Sequence, residues 1–320
     1  MLSTAKSTRI TARDSSPLPV ERRRPAPVGR PSLLLVANGN ASGLNGHADT
    51  VDRVASLLRE RGAMVEQAWT ASPDEFDALV SEEERRVVLL GGDGTLHGLA
   101  NVHGHTPEVA LLPLGRANNV ARALGLPFDL EAAAELAVDG DARPVDGIAL
   151  EAPGLTMTAV EGVSVGFHAQ ARARYRAANS ADTAAGIAAA LGAFARFEPV
   201  VVALDVDGDL EVRRIGQLFV ANFPFFGPGL PVAPGADPAD GALELVEIDA
   251  RGRLSLAAQF ARLQRGTHVR QDGVRIRNAR RLRIAICGRS PVVADTTVFR
   301  GSPVELAVRP HAIHVVAPAS

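Results

Sequence analysis

VVLLGGDGTLHGLANVHGH, residues Val87 to His105, runs four apolar residues straight into two glycines, an acid, a third glycine and a threonine. A short apolar run of this kind reads as a buried strand. The glycines after it fit either of two purposes. They can make a tight turn that needs φ > 0, or let backbone N–H groups approach a phosphate closely. On the phosphate reading, Asp93 is placed to bind a metal or take a proton, and Thr95 to donate to a phosphate oxygen. On the other, the segment is a strand-to-helix turn with a capping aspartate. The motif alone leaves both open.

The surrounding sequence repeats the design. LLPLGRANNVARALGLP (Leu111–Pro127) is again an apolar strand, a glycine, polar residues and a helix. Asn118 or Asn119 is suited to cap that helix, whose N-terminal N–H groups would make an anion site, with Arg116 adding positive charge. SLLLVANGNASGLNG (Ser32–Gly46) is a third strand that ends in Asn and Gly. Helical patterns separate these strands. HADTVDRVASLLRERG carries apolar residues at Val51, Val54, Ala55, Leu57 and Leu58 and stops at Gly62. SPDEFDALV opens with Ser72 as N-cap and Pro73 at the first helical position. AMVEQAW supplies another strand. Strand–helix alternation predicts a parallel α/β sheet, and such sheets bind ligands beyond the carboxyl ends of their strands. Three Gly-rich loops on one rim favour a nucleotide phosphate.

The rhythm changes near Arg143–Asp146. VDGIALE, LTMTAVEGVSVG, PVVVALDVDG, GQLFVANFPFFG, GALELVEID, VRIRNARRLRIAIC and SPVELAVR are short, often alternating segments divided by Gly, Pro or Asp, the signature of antiparallel β structure. One helical insert, Ala171–Phe197, interrupts them. The expected organisation is a basic tail at 1–30, an α/β nucleotide-binding domain at 31–143, a β-sandwich domain at 144–305, and a C-terminal segment, 306–320, returning to the first domain.

Composition narrows the function. The 320 residues are 46% hydrophobic and 22% charged, enough apolar material for a large core. A net charge of −2, with no zinc-finger spacing or aromatic-basic motif, argues against a nucleic-acid binder. Lys6 is the only lysine, so a P-loop, which needs its lysine on the phosphates, is excluded for the body of the chain. Cys287 is the only cysteine, which fits a reducing compartment. Neither a signal-peptide h-region nor a membrane-length apolar run is present. A cytoplasmic protein is expected, resting at most on a membrane surface. The tail carries seven basic residues against two acids and reads as a solvated, disordered arm.

Gly91-Gly92-Asp93-Gly94-Thr95, followed by Pro113-Leu114-Gly115 and Asn118, resembles the diacylglycerol-kinase catalytic domain. This group takes in bacterial lipid kinases of the diacylglycerol and phosphatidylglycerol type and sphingosine kinase. The likeness continues through Val165-Gly166-Phe167-His168-Ala169, Val220-Ala221-Asn222, Phe226-Gly227-Pro228-Gly229 and VAPGADPADGALELVEI (Val232–Ile248), in the family's order over roughly residues 32–318. The resemblance implies an α/β domain of the type shared by NAD kinase and diacylglycerol kinase, joined to a C-terminal β-sandwich. It also implies transfer of a phosphoryl group from ATP to a lipid hydroxyl. Asn38, Thr70, Gly91, Gly92, Gly94, Thr95, Gly115, Arg116 and Asn118 match nucleotide-contacting positions. Asp237 and Asp240 match a Mg²⁺-binding turn. Asp93 would hold metal or accept the hydroxyl proton, and Asp295 would face it from the β domain. The implied partners are a lipid substrate and an anionic membrane surface, with a homodimer left open.

The sequence departs from the family pattern at four places. Arg116 stands for a hydroxyl, Asn119 for an acid and Gly98 for a glutamate. Asp295-Thr296-Thr297 replaces Asp-Gly-Glu, so the usual base is a threonine, whose hydroxyl is too weakly basic for that role. Two alternatives therefore stand beside the kinase: a catalytically degenerate nucleotide- or lipid-binding relative, and an NAD-kinase-like enzyme. Finally, Arg251–Arg300 holds twelve arginines against two acids. These form either solvated strand faces or a surface that docks on anionic lipid.

Overall fold

The computed structural model describes residues 30–39, 48–177, 183–249 and 252–319. Residues 1–29 of the basic tail, residues 40–46 of the first loop and Arg251 lie outside them. From the start of the described chain, strands and helices alternate: β1 (Ser32–Asn38), α1 (Ala48–Glu60), β2 (Met64–Thr70), α2 (Pro73–Val80), β3 (Arg86–Gly91), α3 (Asp93–Ala100), β4 (Glu108–Pro113), α4 (Asn119–Ala123) and α5 (Leu130–Asp139). The local signals are those of the sequence. Gly62, at φ 88°, follows the end of α1. Ser72 accepts the Glu75 N–H, while Glu75 reaches back to the Ala71 N–H, at the start of α2. β2, β1, β3 and β4 lie side by side in that order, all parallel.

The central strands are apolar throughout because both faces of the sheet are covered. Leu34, Val36, Val87 and Leu89 pack with α2, α3 and α4. Leu33, Leu35, Val88 and Leu90 pack with α1 and α5. Each such side chain contributes about 1.5–3 kcal/mol by leaving water.

The β region follows: β5 (Asp141–Ala152), β6 (Leu155–Ala159), β7 (Gly162–Gly166), α6 (Phe167–Ala177), α7 (Thr183–Ala195), β8 (Val200–Val206), β9 (Asp209–Ile215), β10 (Gln217–Ala221), β11 (Leu243–Ile248), α8 (Arg253–Leu263), β12 (Val274–Ala279), β13 (Arg281–Cys287), β14 (Val292–Ala294), β15 (Thr297–Phe299) and β16 (Val304–Ala317). β16 runs parallel to β4 through His314 and Val315 and antiparallel to β5 along most of its length. The parallel sheet thus extends into a ten-stranded one through β16, β13, β8 and β9, with β5 and β6 attached. The boundary expected near Arg143–Asp146 falls inside β5. A second sheet, β12-β11-β10-β7-β14-β15, faces the extension. Ile148, Leu204 and Ile284 from one side meet Val163, Val220 and Leu245 from the other. The outer face of the second sheet is covered by α6 and α8, through Ala169 and Leu263 against Phe219 and Val246.

Two segments that read as single strands are each divided between the sheets. LTMTAVEGVSVG breaks at Val160–Glu161, between β6 and β7, and VRIRNARRLRIAIC at Arg280, between β12 and β13. The helical insert is two helices, α6 and α7, and α8 adds a helix inside the arginine-rich stretch.

Candidate active site

The strand order places β1 between β2 and β3. The chain leaves β1 toward one side and returns on the other, so the loops after β1 and β3 diverge at a topological switch point, where open α/β sheets bind ligands. Asn38, Thr70, Gly91 and Pro113 end their strands in register along that rim. Asn38 donates its side-chain N–H to the Thr95 hydroxyl at 3.3 Å, and the Thr70 carbonyl accepts the Gly39 N–H. Thr95 and Thr70 are buried, and Arg116 is exposed.

Gly91 and Gly92 serve close packing, and no glycine of the motif is there for a positive φ. None of Gly91, Gly92 and Gly94 has a positive φ. A Cβ on Gly91 would collide with the Thr95 side chain, and one on Gly92 would sit 2.8 Å from the Gly115 Cα. Gly92 and Gly115 therefore hold their two loops in direct contact. Only Gly94 of the three has open space where its Cβ would be. Asn118 sits in the left-handed region at φ 48°. Its side chain accepts the Gly115 N–H and donates to the carbonyls of Pro113 and Gly115, which folds the loop onto itself.

Asp93 explains the short helix α4. Its carboxylate accepts the N–H groups of Asn119 and Val120, each at 3.0 Å. The anion expected at that helix terminus is thus an internal one, and neither Asn118 nor Asn119 caps the helix with its side chain. Burial pushes the Asp93 carboxyl above its usual range, while the two N–H bonds oppose the shift.

Asp295 reaches the same place from the turn between β14 and β15, at φ 47°. One carboxylate oxygen accepts the N–H groups of Glu161 and Gly162. The other accepts that of Val160 and lies 2.7 Å from His97 Nδ1. This buried carboxylate therefore pins the β6–β7 corner to α3. Thr297, at the start of β15, is half-buried.

That corner carries a residue the sequence reading missed. Glu161 is only 6% exposed, and its Oε2 accepts the Asn119 side-chain N–H at 2.6 Å. Burial raises its carboxyl well above the usual range, and the nearby charges of Asp93 and Asp295 add to the effect. Read as part of one continuous strand, Glu161 gave no signal. Only the change of sheet turns it toward the rim. Asn119 also donates to the Gly227 carbonyl, and its Oδ1 is buried with no partner among the described residues.

Asp237 and Asp240 are exposed on a turn where each Oδ1 accepts a backbone N–H, of Ala239 and Ala242 respectively. The turn is tied to the corner through buried polar groups. Asp146 donates its N–H to the Pro238 carbonyl and accepts the Gly241 N–H, and Asn222 donates to the carbonyls of Asp146 and Val160. Among the described residues no cluster of three or more His, Cys, Asp or Glu forms a metal-binding group.

Residues 32–150 match the family model for the diacylglycerol kinase catalytic domain, and residues 161–317 match the YegS C-terminal NAD kinase beta sandwich-like domain. The chain belongs to the diacylglycerol kinase family. The two family models meet at the β5–β7 region, where the acids of the site converge. A protein named "Diacylglycerol kinase" from Mycobacterium tuberculosis (strain CDC 1551 / Oshkosh) is 28% identical over 294 residues, covering 86% of this chain and 93% of that protein. A protein named "Probable lipid kinase YegS-like" from Shewanella frigidimarina is 28% identical over 245 residues, 70% of this chain and 76% of the relative. In fold, the chain is similar to the crystal structure of a diacylglycerol kinase from Bacillus anthracis strain Sterne. The TM-score is 0.65 at 16% identity, over 90% of this chain and 97% of that one.

Proposed function

We propose that this diacylglycerol-kinase family member transfers the γ-phosphoryl group of ATP to a hydroxyl of a membrane lipid. The observation that carries this reading is the meeting of the Gly92 and Gly115 loops at the switch point, beside the buried acids of the β6–β7 corner. ATP phosphates would lie along the Gly92–Thr95 and Gly115–Asn118 loops, with Gly94 giving the room and Arg116 the charge. The lipid hydroxyl oxygen attacks the γ-phosphorus, the bond to the β-phosphate oxygen breaks, and ADP leaves. Such transfer depends mainly on positioning and charge stabilisation. Asp93 holds α4 and so sets the Gly115–Asn118 loop. Asp295, with four polar partners, is a positioning residue.

Mg²⁺ is the implied metal. Asp237 and Asp240 suit it chemically, since Mg²⁺ is commonly held by one or two carboxylates together with substrate phosphates, and each carboxylate has an oxygen beyond the one in its turn. When bound, the ion would neutralise phosphate charge.

Access to a bilayer is supported by apolar groups beside arginines. Ile187 and Leu191 on α7 and Leu254 on α8 are exposed, and Arg253 donates to the Ala195 carbonyl, linking the two helices. Exposed Arg262 and Arg265 follow on or just after α8. Three further arginines of the stretch are engaged by acids. Arg275 and Arg277 pair with Glu211, Arg277 also with the buried Glu247, and Arg283 with Glu305.

The test is incubation with radiolabelled ATP and a panel of lipids, with NAD as a competing acceptor, followed by chromatography. A labelled phospholipid supports the reading. Label on NAD alone, or none at all, overturns it.

A further inference from the structure

We propose that Glu161 is the proton acceptor of the transfer, a catalytic carboxylate supplied by the β6–β7 corner. The proposal rests on the lipid-kinase reading above. Three carboxylates meet at the site, and their hydrogen bonding separates their roles. Asp93 accepts two backbone N–H groups, and Asp295 accepts three and contacts His97. Each N–H stabilises the anion and weakens it as a base. Among the described residues Glu161 accepts no backbone N–H on its carboxylate; its partner is the neutral Asn119 amide. It is therefore the carboxylate of the three least held by backbone hydrogen bonds.

Its surroundings have no structural use for a charge. Among the described residues no cation contacts it. The ionisable groups facing it are Asp93 on α3 and Asp295 after β14, with His97 beyond, engaged by Asp295. A buried carboxylate with no cation costs stability, and a glutamine of the same shape would avoid that cost. Perturbed groups retained in this way concentrate where chemistry needs them. Beside Glu161, the Asn119 Oδ1 is also buried and lacks a donor. A hydroxyl is the donor that both groups lack.

In the step, the lipid O–H bond breaks as its oxygen bonds the γ-phosphorus. The proton passes to a Glu161 carboxylate oxygen, directly or through one water, while the bond to the β-phosphate oxygen breaks and ADP departs. Glu161 then returns the proton to solvent.

The test compares wild type, Glu161→Gln and the double variant Asn119→Asp/Glu161→Gln on the lipid that wild type phosphorylates. Glu161→Gln is expected to lose about 10²–10⁴-fold in kcat, with KM for ATP within threefold and a flattened acid limb in the pH–rate profile. Its Tm at pH 8 should equal or exceed that of wild type. The double variant, which returns a carboxylate to the other end of the same hydrogen bond, should recover at least tenfold of the lost rate. Retention of kcat within threefold by Glu161→Gln overturns the proposal. So does loss of rate together with Tm, where the double variant regains Tm but not rate, because that marks a structural role. A wild type without turnover on any lipid sinks the lipid-kinase reading itself, and this proposal with it.

Discussion

Asp93 ties its chemistry to its local structure, so two substitutions there separate the effects. Asp93→Ala removes both acceptors from the start of α4 and should cost about 1–2 kcal/mol, the range for loss of a helix cap, along with lipid phosphorylation. Asp93→Asn keeps one of the two acceptor oxygens, with its NH₂ where the other oxygen met an N–H. It should lower the melting temperature by part of the Asp93→Ala loss and still lose activity. Full activity in Asp93→Asn would reduce the residue to a cap. The glycines call for a similar contrast. Gly92→Val would drive a side chain into the Gly115 backbone and disturb both loops, so lost ATP binding there says little about contact with phosphate. Gly94 has open space and helical neighbours. Gly94→Val should keep the melting temperature and lower ATP affinity at least tenfold by calorimetry. Unchanged affinity would remove the phosphate path from that side of the loop.

At the scale of elements, α7 and α8 carry the membrane prediction. A soluble surface rarely presents several large apolar groups together without a partner. Exposed Leu254 follows Arg253, and Ile187 and Leu191 lie one helical turn apart on α7. Leu254→Glu combined with Leu191→Glu should cut binding to anionic vesicles several-fold in a flotation assay, while activity on a lipid dispersed in detergent changes little. Wild-type binding should also weaken between 0.1 and 0.5 M salt, as charge screening requires. Equal binding to neutral vesicles would remove the arginines from the mechanism. Because Arg275 and Arg277 are paired with acids of neighbouring strands, Arg277 with the buried Glu247, replacing them should affect stability more than docking.

For the whole molecule, burial sets opposing pH dependences. His168 lies against Ser164, with Gly227 close by, and burial lowers its pKa to about 4. The unfolded chain takes up that proton near pH 6.5. The neutral histidine's contribution is therefore complete above about pH 6.5 and is lost as pH falls through 4, worth of order 3 kcal/mol. Glu161 acts in the opposite sense. Its raised carboxyl favours the folded state below the ordinary glutamate range and loses that contribution as pH rises through its folded value. Denaturant melts from pH 4 to 8 should show maximal stability between these limits. His168→Gln should flatten the acid side and Glu161→Gln the alkaline side. A wild-type acid slope unchanged by His168→Gln would show that His168 is not the group responsible.

Local rules sufficed wherever a residue's environment follows from its neighbours in sequence. The apolar runs ending at Asn38, Gly91 and Pro113, the Ser72-Pro73 start of α2 and the stop at Gly62 have periodicity or turn chemistry readable within a few residues, and with them came the α/β sheet, its rim loops and the family resemblance. Tertiary structure decided what depends on contacts between distant segments. The motif glycines could be read as turn formers or phosphate loops, but the reason for Gly92 is Gly115, which arrives from another strand. Asp93 caps a helix that begins 26 residues later. Glu161 stayed hidden because alternation in LTMTAVEGVSVG is the same whether the strand continues or changes sheet. The change is fixed by Asp295, 134 residues away, which takes the corner's N–H groups, and it is this long-range pairing that puts a buried acid at the site.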